Sequence, residues 1–275
     1  MVITMKTLGS QSAKLVQTLH DERKSIFTIK DAARILQSPK NVVSNMLGKA
    51  QQRGIVTRLQ RGLYTLVPAE LGSETVYAGD PLVVADHLPG ERLHYLSHGT
   101  ALAIHGMTLQ PRIVVTVSAV GSPSRTINVQ GTEIRIVNIR ESQVFGIEKH
   151  WVDPGVSVQV SDVERTIIDC LRRPDLCGGY AEADVGTWIV RDRVRTQTLV
   201  DYALRLNVGA VIRRLGYLLD SCQIGTEDDR ARLTEKLSAT YHPLDPSLPA
   251  DGPHSAKWRL RLNVSREELE AQRGS

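Results

Sequence analysis

The stretch that most restricts this chain runs from Thr28 to Val67, where two helical patterns separated by a short break lead directly into strand, turn and strand. Thr28 is placed to cap a helix over Ile29 to Leu36, with Ala32, Ala33, Ile35 and Leu36 as inward positions. A turn of two or three residues leads into SPKNVVSNMLGKAQQRG, residues 38 to 54. Here Ser38 is a natural N-cap, Pro39 suits the first helical position because its missing N–H is not needed there, and Gly54 is placed to end the helix. At 3.6 residues per turn Val43, Met46, Leu47 and Ala50 share one side, while Asn41, Ser44, Asn45, Gly48 and Gln52 share the other.

A first helix over residues 9–23 precedes this pair, with Leu15, Val16 and Leu19 inward and an interruption at Ser25 to Thr28. After it, Ile55 to Gln60 and Leu63 to Val67 read as strands joined by the Arg61–Gly62 turn. Three helices followed by a β-hairpin describe a winged helix-turn-helix domain. Its outer face is short-chained and rich in amides and hydroxyls, with no lacing of Glu–Lys pairs. Asn41, Ser44 and Asn45 therefore suit base edges in a major groove, and Lys40 and Lys49 beside them suit phosphates. Arg58 and Arg61 lie in or next to the wing tip, where cations meet phosphates or enter a minor groove. The competing reading of such a domain is a protein-docking module with a solvated basic helix.

Charge separates the two readings. Residues 1–70 hold eleven Lys or Arg against four acids, a net +7, and the other 205 residues hold 23 basic against 26 acidic side chains, a net −3. The +4 of the whole chain thus hides a positive field confined to the first segment, which points to a polyanion, double-stranded DNA. At 275 residues two domains are expected: residues 1–70 as the DNA-binding domain, 71–80 as a linker, and 81–275 as a larger domain. Cys170, Cys177 and Cys222 show no CxxC spacing and are read as reduced. No apolar run reaches the roughly 20 residues that span a bilayer, and the N-terminus lacks a signal-peptide core. A cytoplasmic protein with no membrane partner is the expectation.

The larger domain reads as mixed. Pro81 to His87 and residues 94–107, HYLSHGTALAIHGM, have helical patterns, the second capped by Ser97 with Ala101, Leu102, Ile104 and His105 close together. Strands are expected from Arg112, Arg125, Glu133 and Val156, with turns at residues 121–124 and at Gln130–Gly131. In VSVQVSDVERTIIDCL the period changes from strand to helix, and Ser161 with Glu164 has the form of a capping box. That helix is expected to be half buried, leaving Arg165 and Arg172 exposed. Further helices are expected over residues 186–205, 208–219 and 228–239, and AKWRLRLNV, residues 256–264, alternates like a strand with one apolar and one cationic face. The fold class is α+β: an N-terminal winged helix-turn-helix domain followed by a larger mixed α/β domain.

An enzyme is not expected. Asp162, Glu164 and Asp169 form a carboxylate-rich run, but the first two favour the positive end of the helix they begin, and Asp169 lies about two turns further along it. His94, His98 and His105 are read as core or surface histidines rather than as metal ligands. Ser161 has no nucleophile elbow, and no phosphate-cradling GxxxxGK[ST] occurs. Neither catalytic residues, nor a metal, nor a cofactor is assigned.

The order of four motifs adds a further expectation. RGLYTL in the wing, YLSHGTALAIHGM, VSDVERTIIDCLRRPDLCGG and a late YHPLDP together resemble the AbiEi antitoxin family, over residues from about 25 to 264. The resemblance implies a type IV toxin–antitoxin system: the winged helix binds inverted repeats at the operon's own promoter and represses it. The larger domain is then needed to counteract a nucleotidyltransferase-like toxin, an inhibition that does not require a stable complex. It also implies DNA contacts on the recognition helix and wing, which here are Lys40, Asn41, Ser44, Asn45, Lys49, Arg58 and Arg61. The alternative is a free-standing winged-helix transcription factor whose larger domain senses a small molecule.

Overall fold

A computed structural model describes residues 9–72, 76–110 and 113–274. The architecture is α+β, with helices and, among the described residues, three separate sheets. Among the described residues no helix is long and apolar enough to cross a membrane. The chain divides into two compact units. One comprises the N-terminal part up to Gly90 with Thr126–Ile134 and Trp151–Val158, and the other comprises Glu91–Arg125, Arg135–His150 and everything from Gln159 onward.

In the first unit the expected helices and hairpin are all present: α1 (Ser10–Asp21), α2 (Ile29–Leu36), α3 (Lys40–Gln52), β2 (Val56–Gln60) and β3 (Leu63–Leu66); α4 (Pro81–His87), expected in the larger domain, also groups with this unit. The segment expected only as an interruption forms a short strand, β1 (Ile26–Thr28), which pairs antiparallel with β3 to give the order β1-β3-β2. Three residues without helical periodicity leave no signal of their own; the free edge of β3 makes them a strand. Thr28 caps α2 in a full capping box with Asp31, as its position before the helix suggested. Leu15, Leu19, Phe27, Ala32, Ile35, Val43, Leu47, Ala50, Val56 and Leu66 form one core, with Ala33 and Met46 only half buried at its margin. Of the expected linker, Ser73 to Thr75 lie outside the described residues; Ala69–Leu71 just before them form a single 3-10 turn.

The largest sheet is formed by β4 (His94–Leu96), β5 (Val114–Val120), β6 (Arg125–Val129), β7 (Thr132–Ile139), β8 (Ile147–Asp153) and β9 (Val156–Ser161), in the order β6-β7-β5-β4-β9-β8. Arg112, expected to start a strand, lies outside the described residues. Strand β4 corrects the expected helix over residues 94–107: only α5 (His98–Ile104) is helical, because His94 to Leu96 pair with β5 and, in parallel, with β9. Strand β8 was also unforeseen, since IEKHWVD leaves neither face fully buried.

Helix α6 (Val163–Arg172) packs against α5, against α7 (Tyr180–Val190) and α8 (Thr196–Leu206), and against α9 (Gly209–Ser221). The single helix expected over 186–205 is thus two helices, parted by a 3-10 turn at Arg191–Arg193. The chain continues through α10 (Glu227–Thr234), β10 (His242–Pro243), β11 (His254–Ser255), β12 (Leu260–Arg261) and α11 (Arg266–Arg273). The strand expected over 256–264 shrinks to β12 because Arg259 adopts φ +52° in a turn before it. Trp258, Leu260 and Val264 are nevertheless buried as the alternation predicts.

Candidate nucleic-acid interface

Helix α3 owes its two faces to its neighbours. Val43, Leu47 and Ala50 are buried against α2 and β2, and this fixes the opposite side outward. All five expected helix residues, Lys40, Asn41, Ser44, Asn45 and Lys49, are exposed, as are Gly48 and Gln52. The cap differs from expectation by one position. Pro39 is the N-cap and its carbonyl accepts the Val43 N–H at 3.1 Å, while the Ser38 hydroxyl donates to the Leu36 carbonyl. At the other end Gly54, at φ +66°, lets the Ile55 N–H reach the Ala50 carbonyl and its own N–H reach Gln51, the reciprocal closure of a glycine-ended helix.

Arg58 and Arg61 are exposed on the hairpin. A register irregularity between Arg58 and Gln60 shapes the approach to the turn, which Gly62 closes at φ +81°. The first unit adds one residue that the sequence reading missed. Gln130, at the tip of the β6–β7 hairpin, donates from its amide to the Arg58 carbonyl at 3.2 Å. Only its turn character was legible in the sequence; the hydrogen bond depends on residues 72 positions apart coming together.

Two acids beside α2 are paired with cations close to it. Asp31 takes Lys24 at 2.7 Å, and Glu22 takes Arg34 at 3.0 Å. Burial opposes ionisation of Asp31, yet hydrogen bonds from Lys24 and Thr28 hold it at about 2. Both acids are thus occupied around α2. Among the described residues Lys40, Lys49 and Arg61 have no acidic partner, so the α3 face and the hairpin keep their positive field.

The motif-rich helix of the second unit is built differently. Residues 164–171 of α6 are all buried, Arg165 completely, which corrects the expectation of a half-buried helix with an exposed Arg165; Arg172 is half buried. The reason is that α6 is surrounded by four helices, so no face is left to solvent. Arg165 reaches Asp169 at 2.9 Å and the Tyr95 hydroxyl at 2.8 Å, and its guanidinium lies 4.2 Å from the centre of the Phe145 ring. Tyr95 in turn donates to Asp169 at 3.1 Å. Burial, with Asp169 beside it, pushes the Tyr95 phenol up and keeps it a donor.

The expected capping box at Ser161 is replaced by an Asp162 cap, whose carboxylate accepts the Arg165 N–H at 2.7 Å. The Ser161 hydroxyl pairs instead with Thr166, and Glu164 turns away to Arg195. Each of the three histidines is engaged separately: His94 with the Arg92 carbonyl, His98 with the Ser97 hydroxyl and His105 with the Ser161 carbonyl. Burial pushes the His98 imidazole down to about 4 despite the nearby Asp169. Among the described residues no group of three or more His, Cys, Asp or Glu is placed to hold a metal ion. The three cysteines are buried as thiols, and the Cys177 thiol donates to the Cys170 sulfur.

Family models do not match this chain, and neither do curated proteins. Among solved structures, the crystal structure of the RV2827C protein from Mycobacterium tuberculosis is similar over 98% of this chain and 96% of that one, with a TM-score of 0.68 and 13% identity. At that identity the likeness extends to the fold.

Proposed function

We propose that this chain is a DNA-binding repressor of its own operon and the antitoxin of a type IV toxin–antitoxin pair. In this reading the first unit is a winged helix, with α3 in the major groove of an inverted repeat and the β2–β3 turn against the backbone or minor groove. The observation that carries the DNA half is the α3 face itself. Seven residues expected from the sequence to touch DNA are all exposed, and the acids around α2 are paired elsewhere. A merely solvated helix does not require short amide side chains and unneutralised cations on a single face. The antitoxin half is supported by the order of the four motifs along the chain, with a nucleotidyltransferase-like toxin as the partner.

The second reading, a transcription factor with a ligand-sensing second unit, has one observation in its favour. An open cavity of about 500 Å³ in that unit is lined by Asp175, Gly179, Asp245, Asn263 and Glu268, among others.

The deciding experiment is fluorescence anisotropy of the full chain with duplex DNA from upstream of its own gene, across a salt series, with scrambled duplex as control. Tight binding that depends on sequence supports the repressor; equal binding to both duplexes rejects it. Co-expression with the neighbouring gene then separates the two readings. Growth inhibition by that gene, relieved by this chain, is the antitoxin outcome, and no toxicity to relieve is the other.

A further inference from the structure

Glycine is a poor residue for a helix interior, and this protein generally uses it there where packing demands it. A Cβ on Gly186 of α7 would stand 2.5 Å from the Met107 carbonyl oxygen. One on Gly216 of α9 would stand 2.1 Å from the Trp258 ring. Gly48 in α3 has no such reason. A Cβ there meets nothing within 4 Å, the residue is exposed, and its φ is not in the left-handed region. Neither the fold nor the backbone explains its presence.

Its position suggests what does. Gly48 sits one helical turn from Ser44 and Asn45 and two from Asn41 on one side, and one turn from Gln52 on the other, at the centre of the exposed face. The side chains before it on this face are short: Ser44, Asn41 and Asn45 reach a base edge only when the helix axis lies close to the groove floor. A bare backbone at the centre and short side chains before it are two independent features with the same geometric consequence.

We infer that Gly48 is the point at which duplex DNA comes closest to α3, a notch in the helix surface that lets the groove floor approach near enough for Asn41 and Asn45 to hydrogen-bond base edges. Gly48 makes no hydrogen bond to a base through a side chain; it acts by position, setting the depth of the helix in the groove. The inference rests on the DNA-binding reading and assigns the residue that sets specificity within it.

Gly48→Ala and Gly48→Ser in the full chain test it by thermal melting and by anisotropy on two probes, the duplex from upstream of the gene and its scrambled counterpart. The expected result is a melting temperature at or above that of the unsubstituted chain, with affinity for the upstream duplex reduced about tenfold or more. Affinity for scrambled duplex, held through phosphates alone, should change by less than about threefold. A more stable variant that binds the upstream duplex as before would overturn the inference and leave DNA binding intact. A lower melting temperature would overturn it too, since the fold itself would then need the glycine. If the unsubstituted chain binds both duplexes alike, the DNA-binding reading has failed and the notch fails with it.

Discussion

Arg165 and Asp169, one turn apart on α6, form an ion pair at 2.9 Å with 0% and 3% of their side chains exposed. Opposing the cost of burial, Asp169 holds the guanidinium charged, and Tyr95 bonds both members. Removing one partner strands the other charge in the interior. Arg165→Met is expected to lower stability by about 3–5 kcal/mol, and Arg165→Lys to recover only part because it lacks the fork that spans Asp169 and Tyr95. The double variant Arg165→Met, Asp169→Leu should be more stable than Arg165→Met alone. Urea denaturation of the three variants checks this, and a double variant no better than the single would contradict it.

Gly216 and Trp258 fit together through the absence of a side chain. The indole ring occupies the space a Cβ would take, and its N–H donates to Asp220 at 2.7 Å. Gly216→Ala should therefore destabilise by about 1–3 kcal/mol through overpacking, although alanine is the better helix former. At about 2–4 °C per kcal/mol the melting temperature should drop measurably. Set beside Gly48→Ala, the same substitution is expected to have opposite signs at two helical glycines.

Stability should fall as the solution is acidified through the range of His98. Its imidazole titrates at about 4 in the folded chain against 6.5 when unfolded, so between those values the unfolded state binds more protons. The stabilisation is fully present above pH 6.5 and is lost as pH falls toward 4, by up to about 1.4 kcal/mol per pH unit. His242, also held below its ordinary value by burial, acts in the same direction. His98→Gln should flatten the profile over this window without abolishing it. An unchanged slope in that variant would show that His98 is not the buried neutral group described.

On DNA, the amide and the cationic residues should separate. Asn41→Ala or Asn45→Ala is expected to weaken binding to the upstream duplex by about 1–3 kcal/mol with little effect on scrambled duplex. Lys49→Ala or Arg61→Ala should weaken binding to both and reduce the slope of log K against log salt by about 0.9 for each phosphate that is no longer neutralised. Equal losses on the two duplexes for the Asn variants would remove base reading from α3.

Between residues 9 and 66 nearly every element was legible in the sequence, because each helix is amphipathic against one small core, and α2 and α3 carry a cap or a terminator of their own. The exposure of Lys40, Asn41, Ser44, Asn45 and Lys49 followed from the burial of Val43, Leu47 and Ala50 at helical spacing. Beyond residue 90 the local rules were overruled by partners distant in sequence. Helix α6 is surrounded, so its periodicity misjudged Arg165, and β4 exists because β5 and β9 lie on either side of it.

The break between α7 and α8 shows the distinction most directly. Nothing around Arg195 ends a helix; its N–H and guanidinium are held at 2.6–3.2 Å by the Glu164 carboxylate, 31 residues earlier. Sequence alone determined the α+β class, the uneven charge and the amphipathic helices of the first unit, since these depend on composition and on neighbours within a turn or two. Tertiary structure alone decided which polar groups of the second unit are buried and where its helices stop, since a buried charge must take the partner that the folded chain brings within hydrogen-bond reach.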